Sequence, residues 1–311
     1  GNEQGAGGGG VLSQAYLEQI LANLGSGTLN SAGSAVLNGD AAVETANVNS
    51  GLLNLNGQLT DVVNLTIADG GTLVSGSPDR INDDASGNIA TEGTWILNGN
   101  DTIATLNSGG LLNGTGTLTA ETYNLTDGAV TDILANLGSG TLNSDESVTL
   151  NGNAAVETAN VNSGTLALNG QLTDVTNLNI SESGTLLSGG AERINNAATA
   201  NITTGGTLTL NDTETIVALN SGGLLNGSGT LTAETYNLTD GAVTETLANL
   251  GAGILNSDGA VTLNGDAASE LTNVNTGTLN LNGQLTAVGE LNISEGATLV
   301  NGSTERINDA A

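Results

Sequence analysis

A long block of sequence repeats along the chain, and this repeat constrains the fold more than any other feature. The phrase LANLGSGTLNS begins at Leu21, and close copies of it begin at Leu134 and Leu247. The interval is 113 both times (134 − 21 and 247 − 134), so the copies follow one another without insertion or deletion. A fixed period of this kind is typical of solenoids and of tandem arrays.

The repeat phase also gives the predicted domain organisation. We predict a single continuous β-solenoid over residues 11–311, with repeat units at 21–133, 134–246 and 247–311, the last incomplete. The first ten residues, GNEQGAGGGG, have the composition of a flexible glycine-rich linker or of an expression remnant.

A repeat unit of this length is compatible with two architectures. Tandem immunoglobulin-like sandwiches have a similar length, whereas a solenoid would place several coils in each unit. Similar short phrases recur inside the first unit, such as NVNSGLLNLNG from Asn47 and NLTIADGGTLVSG from Asn64. Six coils would fill a unit at a mean of about 19 residues (113/6), which suits three short strands and three turns. This internal repetition favours a solenoid of about 16 coils.

The local pattern predicts an all-β chain with parallel strands. Runs such as LLNLN from Leu52 and TLTA from Thr117 alternate apolar and polar residues, as strands with one buried face do. Asn-Gly steps follow such runs at Asn38, Asn56, Asn98 and Asn113. These steps are also a strong hairpin signal, but hairpins give no reason for a coil-length repeat. We therefore predict corners of a parallel β-helix, formed with positive φ angles.

Two further residue types lead to packing predictions. Asparagine recurs in the short phrases at Asn47, Asn64, Asn88 and Asn124. These amides either stack as hydrogen-bonded ladders between coils or are only good turn formers, and the sequence leaves both readings open.

The one tryptophan, Trp95, stands where the next unit has Leu208, so we predict a core or edge residue rather than a platform for sugar stacking.

Charge narrows the classes of partner. The chain has no Lys, three Arg and 32 Asp or Glu, for a formal net charge of −29. Such a chain repels phosphate backbones and anionic headgroups, so we expect no nucleic-acid partner. No apolar run approaches a membrane span, so we expect no direct membrane insertion. We predict no cofactor and no metal site, because the sequence motifs of calcium-binding β-rolls and EF-hands are absent. So acidic a surface could still associate weakly with Ca²⁺.

All basic side chains share one phase of the repeat. Arg80, Arg193 and Arg306 recur at the repeat interval and lie in the phrases SPDRIND, GAERINN and STERIND. An acid precedes each of them. We predict a structural role, in which the guanidinium closes a long turn through a fixed salt bridge or a fork of hydrogen bonds. The alternative is a row of Arg side chains that binds an anionic glycan.

The sequence offers little for catalysis. Without His, Cys or Lys, most pairings of a nucleophile with a base are impossible. A carboxylate pair of the glycosidase type is conceivable, but the acids recur with the repeat, as Glu44 does with Glu157 and Glu121 with Glu234. A repeated residue serves a scaffold more often than an active site. We therefore predict that the chain is not an enzyme and has no catalytic residue.

Several phrases resemble the repeats of filamentous-haemagglutinin-like exoproteins, the large adhesins exported by two-partner secretion, and of their biofilm-matrix relatives. They include GLLNGTGTLTAETYNLTDGAV from Gly110, ANLGSGTLNS and GTLALNGQLTDV, and the resemblance covers essentially residues 11–311. It implies a right-handed parallel β-helix at the bacterial cell surface or outside the cell. It also implies partners: exopolysaccharide or a neighbouring cell surface, other copies of the adhesin, and an outer-membrane secretion partner for the full-length protein.

These observations lead to one functional prediction and two alternatives. We predict a structural rod or stalk segment of a large secreted adhesin that mediates cell–cell, surface or biofilm-matrix adhesion. The first alternative is a carbohydrate-binding face on the β-helix, with exopolysaccharide as its ligand. The second is a β-helical enzyme that degrades polysaccharide.

Overall fold

The computed structural model describes residues 11–12, 18–20, 23–126, 132–133, 135–239, 245–246 and 248–308. Within these ranges all regular structure is β-strand, and the paired strands run parallel. The predicted parallel β-solenoid is therefore confirmed, and the sandwich and hairpin alternatives are wrong. The right-handedness that the family resemblance implies stays a prediction.

The described ranges contain 31 strands, numbered in chain order. They are β1 Val11–Leu12, β2 Glu18–Ile20, β3 Thr28–Ala32, β4 Ala35–Leu37, β5 Thr45–Leu55, β6 Asn64–Ile67, β7 Gly71–Ser75, β8 Ser86–Ile89, β9 Thr94–Leu97, β10 Asp101–Ser108, β11 Leu111–Asn113, β12 Thr117–Leu125, β13 Asp132–Ile133, β14 Asn136–Leu137, β15 Thr141–Ser144 and β16 Ser147–Leu150. The others are β17 Thr158–Leu168, β18 Asn177–Ser188, β19 Thr199–Ile202, β20 Thr207–Leu210, β21 Glu214–Ser221, β22 Leu224–Gly227, β23 Thr230–Thr239, β24 Glu245–Thr246, β25 Asn249–Leu250, β26 Ile254–Asp258, β27 Ala260–Leu263, β28 Leu271–Val274, β29 Thr278–Leu281, β30 Glu290–Ile293 and β31 Thr298–Asn301.

The contacts divide the chain into two compact units. The first comprises residues 1–143 and 147–156, and the second comprises 144–146 and 157–311. Each unit is a stack of coils built from the same repeated sequence, so the same kinds of element recur in both.

A coil of the first unit has three sides. On one side, β3, the first half of β5, β6 and β8 pair in succession. On the second, β4, the second half of β5, β7 and β9 do the same. The third side is held by single bridges that join Leu24 to Ala41, Ala41 to Leu59 and Leu59 to Ile81. We call the first side, which carries the asparagine residues, the amide sheet.

Core side chains stack in columns because each coil repeats the inward positions of the coil before it. On the amide sheet, Leu29 pairs with Ala46, and Ala46 pairs with Leu65. All three are buried, while the residues between them along each strand face outward. Each coil thus buries an apolar face on its neighbours, which no single coil could do alone.

The second unit repeats this register. Ala159 of β17 pairs with Leu178 of β18, which pairs with Ala200 of β19 and then with Leu219 of β21. All four are buried. Columns of buried aliphatic side chains are therefore present in both units.

The coils differ in length by a regular pattern. Equivalent asparagines in successive coils lie 17, 19 or 22 residues apart, and each full repeat holds six coils, as predicted. There are about 14 turns in all, rather than the predicted 16. The prediction divided the whole of 11–311 by the mean coil length, whereas the asparagine positions from Asn30 to Asn292 span 14 coils.

The positive φ predicted for the Asn-Gly corners is present at one corner and absent at another. Gly114 does adopt a positive φ, of 114°, but Gly57 does not. A Cβ atom at Gly57 would instead overlap the carbonyl oxygen of Gly39 in the preceding coil. Close approach of two backbones, rather than a left-handed conformation, therefore requires glycine at this corner.

Trp95 lies in the core, as predicted. Its side chain is fully buried in β9, and its ring carbon Cζ3 lies 3.5 Å from where a Cβ atom of Gly87 would be. Gly87 of β8 therefore leaves room for the indole. The next unit has the smaller Leu208 and the larger Ala200 at the same two positions.

Candidate functional site

The turn that contains Arg80 lies in the longest coil of the repeat. In the second unit the equivalent residue, Arg193, lies between Asn179 and Asn201, the ladder partners that are 22 residues apart. The acid before each arginine has a left-handed backbone, with φ of 55° at Asp79 and 50° at Glu192. Such a conformation is uncommon for a residue with a side chain, so other contacts must hold the turn.

A buried carboxylate from the next coil supplies those contacts in the first unit. Oδ1 of Asp101 accepts hydrogen bonds from the backbone nitrogens of Arg80, at 2.8 Å, and Ile81, at 3.1 Å. Leu59 of the preceding coil donates its backbone N–H to the carbonyl oxygen of Arg80 at 2.8 Å. The turn is thus bonded to the coils on both sides of it.

Glu214 takes the same position in the second unit. Its Oε1 accepts from the backbone nitrogen of Arg193 at 3.0 Å, and its Oε2 accepts from that of Ile194 at 3.1 Å. The hydroxyl of Ser188 also donates to Oε1 of Glu214. We call Asp101 and Glu214, with the backbone groups that they hold, the carboxylate clamp.

The carboxylate clamp differs from the fork of hydrogen bonds that was predicted for this turn. The prediction made the guanidinium the donor, but the donors are backbone N–H groups of the turn and the acceptor is an acid of the next coil. In the described part of the chain, Nε of Arg80 and Nε of Arg193 are buried without a hydrogen-bond partner. Nε of Arg306 donates to Oγ of Ser303 at 2.7 Å, within its own turn.

Burial governs the protonation of the clamp. Desolvation raises the pKa of Asp101 from 3.8 to about 7, helped by the negative charge of Asp79 and opposed by the two backbone hydrogen bonds and by Arg80. Desolvation also raises the pKa of Glu214, opposed first by the hydrogen bond from Ser188. The turn of the first unit therefore contains a carboxyl group that keeps its proton well above the usual range of an aspartate.

Neither clamp acid was predicted from the sequence, although a signal was present. Asp101 and Glu214 occupy the same phase of successive repeats, and each stands two residues before an inward-facing isoleucine, Ile103 or Ile216. Alternation along a strand places residues two apart on the same face. An acid at that spacing, in the same phase of two repeats, indicates a buried carboxyl group.

The clamp acids are closed to a substrate, since Asp101 is 2% exposed and Glu214 is fully buried. The acids considered for a glycosidase pair are different: Glu44, Glu121 and their counterparts lie on the exposed surface. Glu234 and Glu270 border an open groove of about 450 Å³ in the second unit.

A ladder of side-chain amides runs up the outer face of the amide sheet in the first unit. Nδ2 of Asn47 donates to Oδ1 of Asn30 at 2.8 Å, and further along Asn124 donates to Asn107 and Asn107 to Asn88, each at 2.9 Å. Amide ladders were one of the two readings that the sequence left open. They lie within the strands, half-buried, rather than in turns as the alternative had it.

The ladder of the first unit has a gap and that of the second unit does not. Thr66 pairs with Asn47 on one side and Asn88 on the other, so Asn88 has no amide oxygen before it. Its Nδ2 instead lies 3.4 Å from two backbone oxygens, which are long contacts. Asn64, which was considered for a ladder, pairs with Thr45 and Ser86 at another position of the sheet.

In the second unit the residue equivalent to Thr66 is Asn179, and the ladder is continuous. Each Nδ2 donates to the Oδ1 of the preceding member at 2.8–3.1 Å. The members are Asn160, Asn179, Asn201, Asn220, Asn237, Asn256, Asn273 and Asn292.

An open groove of about 300 Å³ follows the ladder in the first unit, at the end of the strands of the amide sheet. Its lining includes Asn88, Asn107 and Asn124, with Thr66 and Thr126 among the residues around them. The groove therefore begins at the gap in the ladder. We call it the ladder groove.

Two features are absent from the described ranges, a cluster of metal ligands and a membrane-spanning helix. Within those ranges, no group of three or more His, Cys, Asp or Glu is placed to hold a metal ion. The same ranges contain no helix long and apolar enough to cross a bilayer.

Comparisons with protein-family models, curated proteins and solved structures find no match to the chain. The resemblance to filamentous-haemagglutinin-like exoproteins therefore rests on the sequence phrases alone, and the family stays a hypothesis.

Proposed function

We propose that the chain is a non-enzymatic structural segment of a secreted bacterial adhesin, a stiff spacer that holds a binding region away from the cell surface. In this proposal the chain acts outside the cell. Its partners are exopolysaccharide or a neighbouring cell surface, together with other copies of the adhesin, and the full-length protein leaves through an outer-membrane secretion partner.

The observation that carries the proposal is the use of the repeated polar side chains. The amide ladder, the carboxylate clamp and the buried phenols of Tyr123 and Tyr236 recur in phase with the repeat, and each bonds one coil to another. An active site is one constellation of residues, whereas a spacer needs the same coil-to-coil bonds in every repeat. The absence of cysteine also suits a chain that crosses membranes unfolded.

The proposal is tested by displaying the chain on a bacterial cell between a membrane anchor and a sugar-binding module. Deleting residues 134–246 removes one whole repeat and joins position 133 to Leu247, the equivalent of Leu134, so the register is kept. We expect the shorter chain to reduce adhesion to a surface whose sugars lie beneath a polymer brush, with binding of soluble sugar unchanged.

A matched control replaces residues 134–246 with a Gly/Ser linker of about 28 residues, whose root-mean-square length of about 29 Å equals the height of the six coils removed. Such a linker matches the removed coils in mean reach but not in stiffness, so a polymer brush can compress it. The linker variant should therefore adhere as poorly as the deletion. Full adhesion by either variant would show that a stiff spacer is not what the chain provides.

A further inference from the structure

An open groove of about 450 Å³ runs across four successive coils of the second unit, where each coil enters the amide sheet. One residue of each coil holds the same position in its lining, and these are Val217, Glu234, Gly253 and Glu270. The residue that follows each of them along the chain pairs with its counterpart in the next coil, and these are Ala218, Thr235, Ile254 and Leu271. We call this place, with both sets of residues, the corner groove.

Apolar side chains face solvent at the corner groove. Val217 and Ile254 are exposed, and Leu271 is half-buried on the outer face of its strand. Ile254 pairs directly with Leu271, while Val217 lies two coils before Ile254, a distance of about 10 Å. Exposed apolar groups that cluster in this way mark interaction sites.

Earlier copies of the repeat lack these apolar side chains. The equivalent residues are Ala104 for Val217, Thr28 and Thr141 for Ile254, and Thr45 and Thr158 for Leu271. The core differs in the opposite sense at the same place, since the buried Ser269 and Thr272 stand where the preceding copy has Val156 and Ala159. This segment is thus more polar inside and more apolar outside than its counterpart, so its own packing does not account for the apolar surface.

Acidic side chains surround the apolar residues of the corner groove. Glu234 and Glu270 are exposed and lie one coil to either side of Gly253, about 10 Å apart. Glu290, which is also exposed, pairs with Leu271 from the following coil. Among the described residues that line the groove, none is basic. A ligand that complements this place therefore brings both apolar groups and positive charge.

We propose that the corner groove binds a segment of another protein that carries both basic and apolar side chains. The apolar side chains of this segment pack on Val217, Ile254 and Leu271, and its Lys or Arg side chains pair with Glu234 and Glu270. The groove crosses four coils, a length of about 14 Å, which suits several residues of a peptide rather than one side chain.

Charge selects this ligand over the other candidates. A second copy of the chain has a net charge of −29 and no Lys, so it would be repelled, and an anionic membrane surface would be repelled for the same reason. An uncharged sugar chain offers no positive charge to the acids of the groove. The inference does not depend on the spacer role, because a spacer without such a partner would pass the adhesion test and fail the test below.

The test measures binding of three hexapeptides, acetylated and amidated at their ends, to the full chain by calorimetry. The peptide KLIKLK carries both kinds of group, KSTKSK keeps only the charge, and ELIELE keeps the apolar residues with the opposite charge. We expect KLIKLK to bind at one site per chain, KSTKSK to bind more weakly by about tenfold or more, and ELIELE not to bind. Added salt should weaken the binding of KLIKLK without abolishing it, because only the charge pairs are screened.

The double substitution Ile254→Thr and Leu271→Thr should weaken the binding of KLIKLK about tenfold, since it removes apolar contact area and leaves the charge unchanged. Threonine occupies both positions in the earlier copies of the repeat, so the fold accommodates it. Val63→Thr is the matched control, because Val63 is an exposed valine of the first unit whose equivalent in the next repeat is Thr176. It should leave binding unchanged.

The double substitution Glu234→Gln and Glu270→Gln should weaken binding by a similar factor. Its control, Glu121→Gln with Glu44→Gln, removes the same charge at the equivalent residues of the first unit and should leave binding nearly unchanged. The proposal is wrong if KLIKLK does not bind at millimolar concentration, if KSTKSK binds equally well, if the double threonine variant binds as the unaltered chain does, or if either control weakens binding as much as its counterpart. Self-association of the chain in sedimentation that the double threonine variant abolishes would also overturn it, since the occupant would then be a second copy.

Discussion

The indole nitrogen of Trp95 donates a hydrogen bond of 2.9 Å to the hydroxyl oxygen of Ser75, one coil earlier in the core of the first unit. The equivalent residues of the second unit are Leu208 and Ser188, and there the serine donates to the buried Glu214 instead. The same serine position therefore has a different partner in each repeat.

Neighbouring positions change together with Trp95. Where the second unit has Leu208, Ala200 and Glu214, the first has a larger indole, a smaller Gly87 and the shorter acid Asp101. Volume added at one position is thus removed at others, as expected of a closely packed core. Residues that compensate one another should not contribute independently to stability.

Trp95→Leu should lower the free energy of unfolding by about 2–3 kcal/mol, because the smaller side chain leaves a cavity beside Gly87. Adding Gly87→Ala should restore about 1 kcal/mol of this loss by filling part of the cavity. Alone, Gly87→Ala places a Cβ atom 3.2 Å from Cδ1 of Ile103 and should be neutral or destabilising. Denaturant unfolding of the two single variants and the double variant measures the coupling, and strictly additive values would contradict it.

Tyr123→Phe should destabilise the first unit by about 1–3 kcal/mol, since it leaves a buried donor unsatisfied. The phenol oxygen accepts from the backbone nitrogen of Ala120 at 2.8 Å and donates to the carbonyl oxygen of Leu118 at 2.9 Å. Tyr236→Phe removes the same bonds in the second unit. Hydrogen exchange at Ala120 and Ala233 distinguishes the two, and each variant should speed exchange only at its own alanine. Unchanged exchange in both would show that the phenols do not hold these groups.

Thr66→Asn should stabilise the first unit by about 0.5–1.5 kcal/mol, because an amide at this position completes the ladder between Asn47 and Asn88. The reverse change, Asn179→Thr, opens the same gap in the second unit and should cost a similar amount. Unfolding in denaturant reports both changes. A loss of stability on Thr66→Asn would mean that threonine is preferred there for a reason other than the ladder.

Stability should depend on pH through the carboxylate clamp. The pKa of Asp101 is about 7 in the folded chain against an ordinary 3.8, so the folded chain binds more protons than the unfolded chain between these values. The free energy of unfolding contributed by this group therefore falls as the pH rises from about 4 to about 7. Asp101→Asn keeps an acceptor oxygen but does not titrate, so it should flatten this part of the profile.

The net negative charge of the whole chain also lowers its stability at high pH. The contribution of the carboxylate clamp is therefore measured as a difference from a control variant. Asp61→Asn removes one exposed acid and serves as the control for loss of a surface charge. Glu214→Gln should act in the same direction as Asp101→Asn, because burial raises the pKa of Glu214 too. If Asp101→Asn and Asp61→Asn give the same slope between about pH 5 and pH 8, Asp101 is not the group that titrates.

The sequence was sufficient for the architecture because the architecture is periodic. The interval from Leu21 to Leu134 sets the repeat, and the alternation in runs such as the one at Leu52 sets which residues face inward. The burial of Trp95 also followed from its phase, since the equivalent Leu208 lies in an apolar alternating run. Each of these predictions needs only spacing along the chain.

Contacts between coils were harder to predict, because they depend on which residues become neighbours when coils of unequal length are stacked. Asp101 was missed because its partners, the backbone nitrogens of Arg80 and Ile81, are 21 and 20 residues away. The charge of Arg80 alone led to the prediction that its guanidinium is the donor. Gly57 was assigned to a positive φ because the overlapping carbonyl of Gly39 belongs to another coil.

Pulling single molecules of the chain from its two ends tests most directly whether repeated polar bonds join the coils into a stiff segment. We expect resistance up to a threshold force, followed by stepwise extension in which each step releases whole coils of 17–22 residues or multiples of them. Asn179→Thr should lower the force of one class of steps. Smooth extension at low force, like that of an unfolded polypeptide, would contradict the claim.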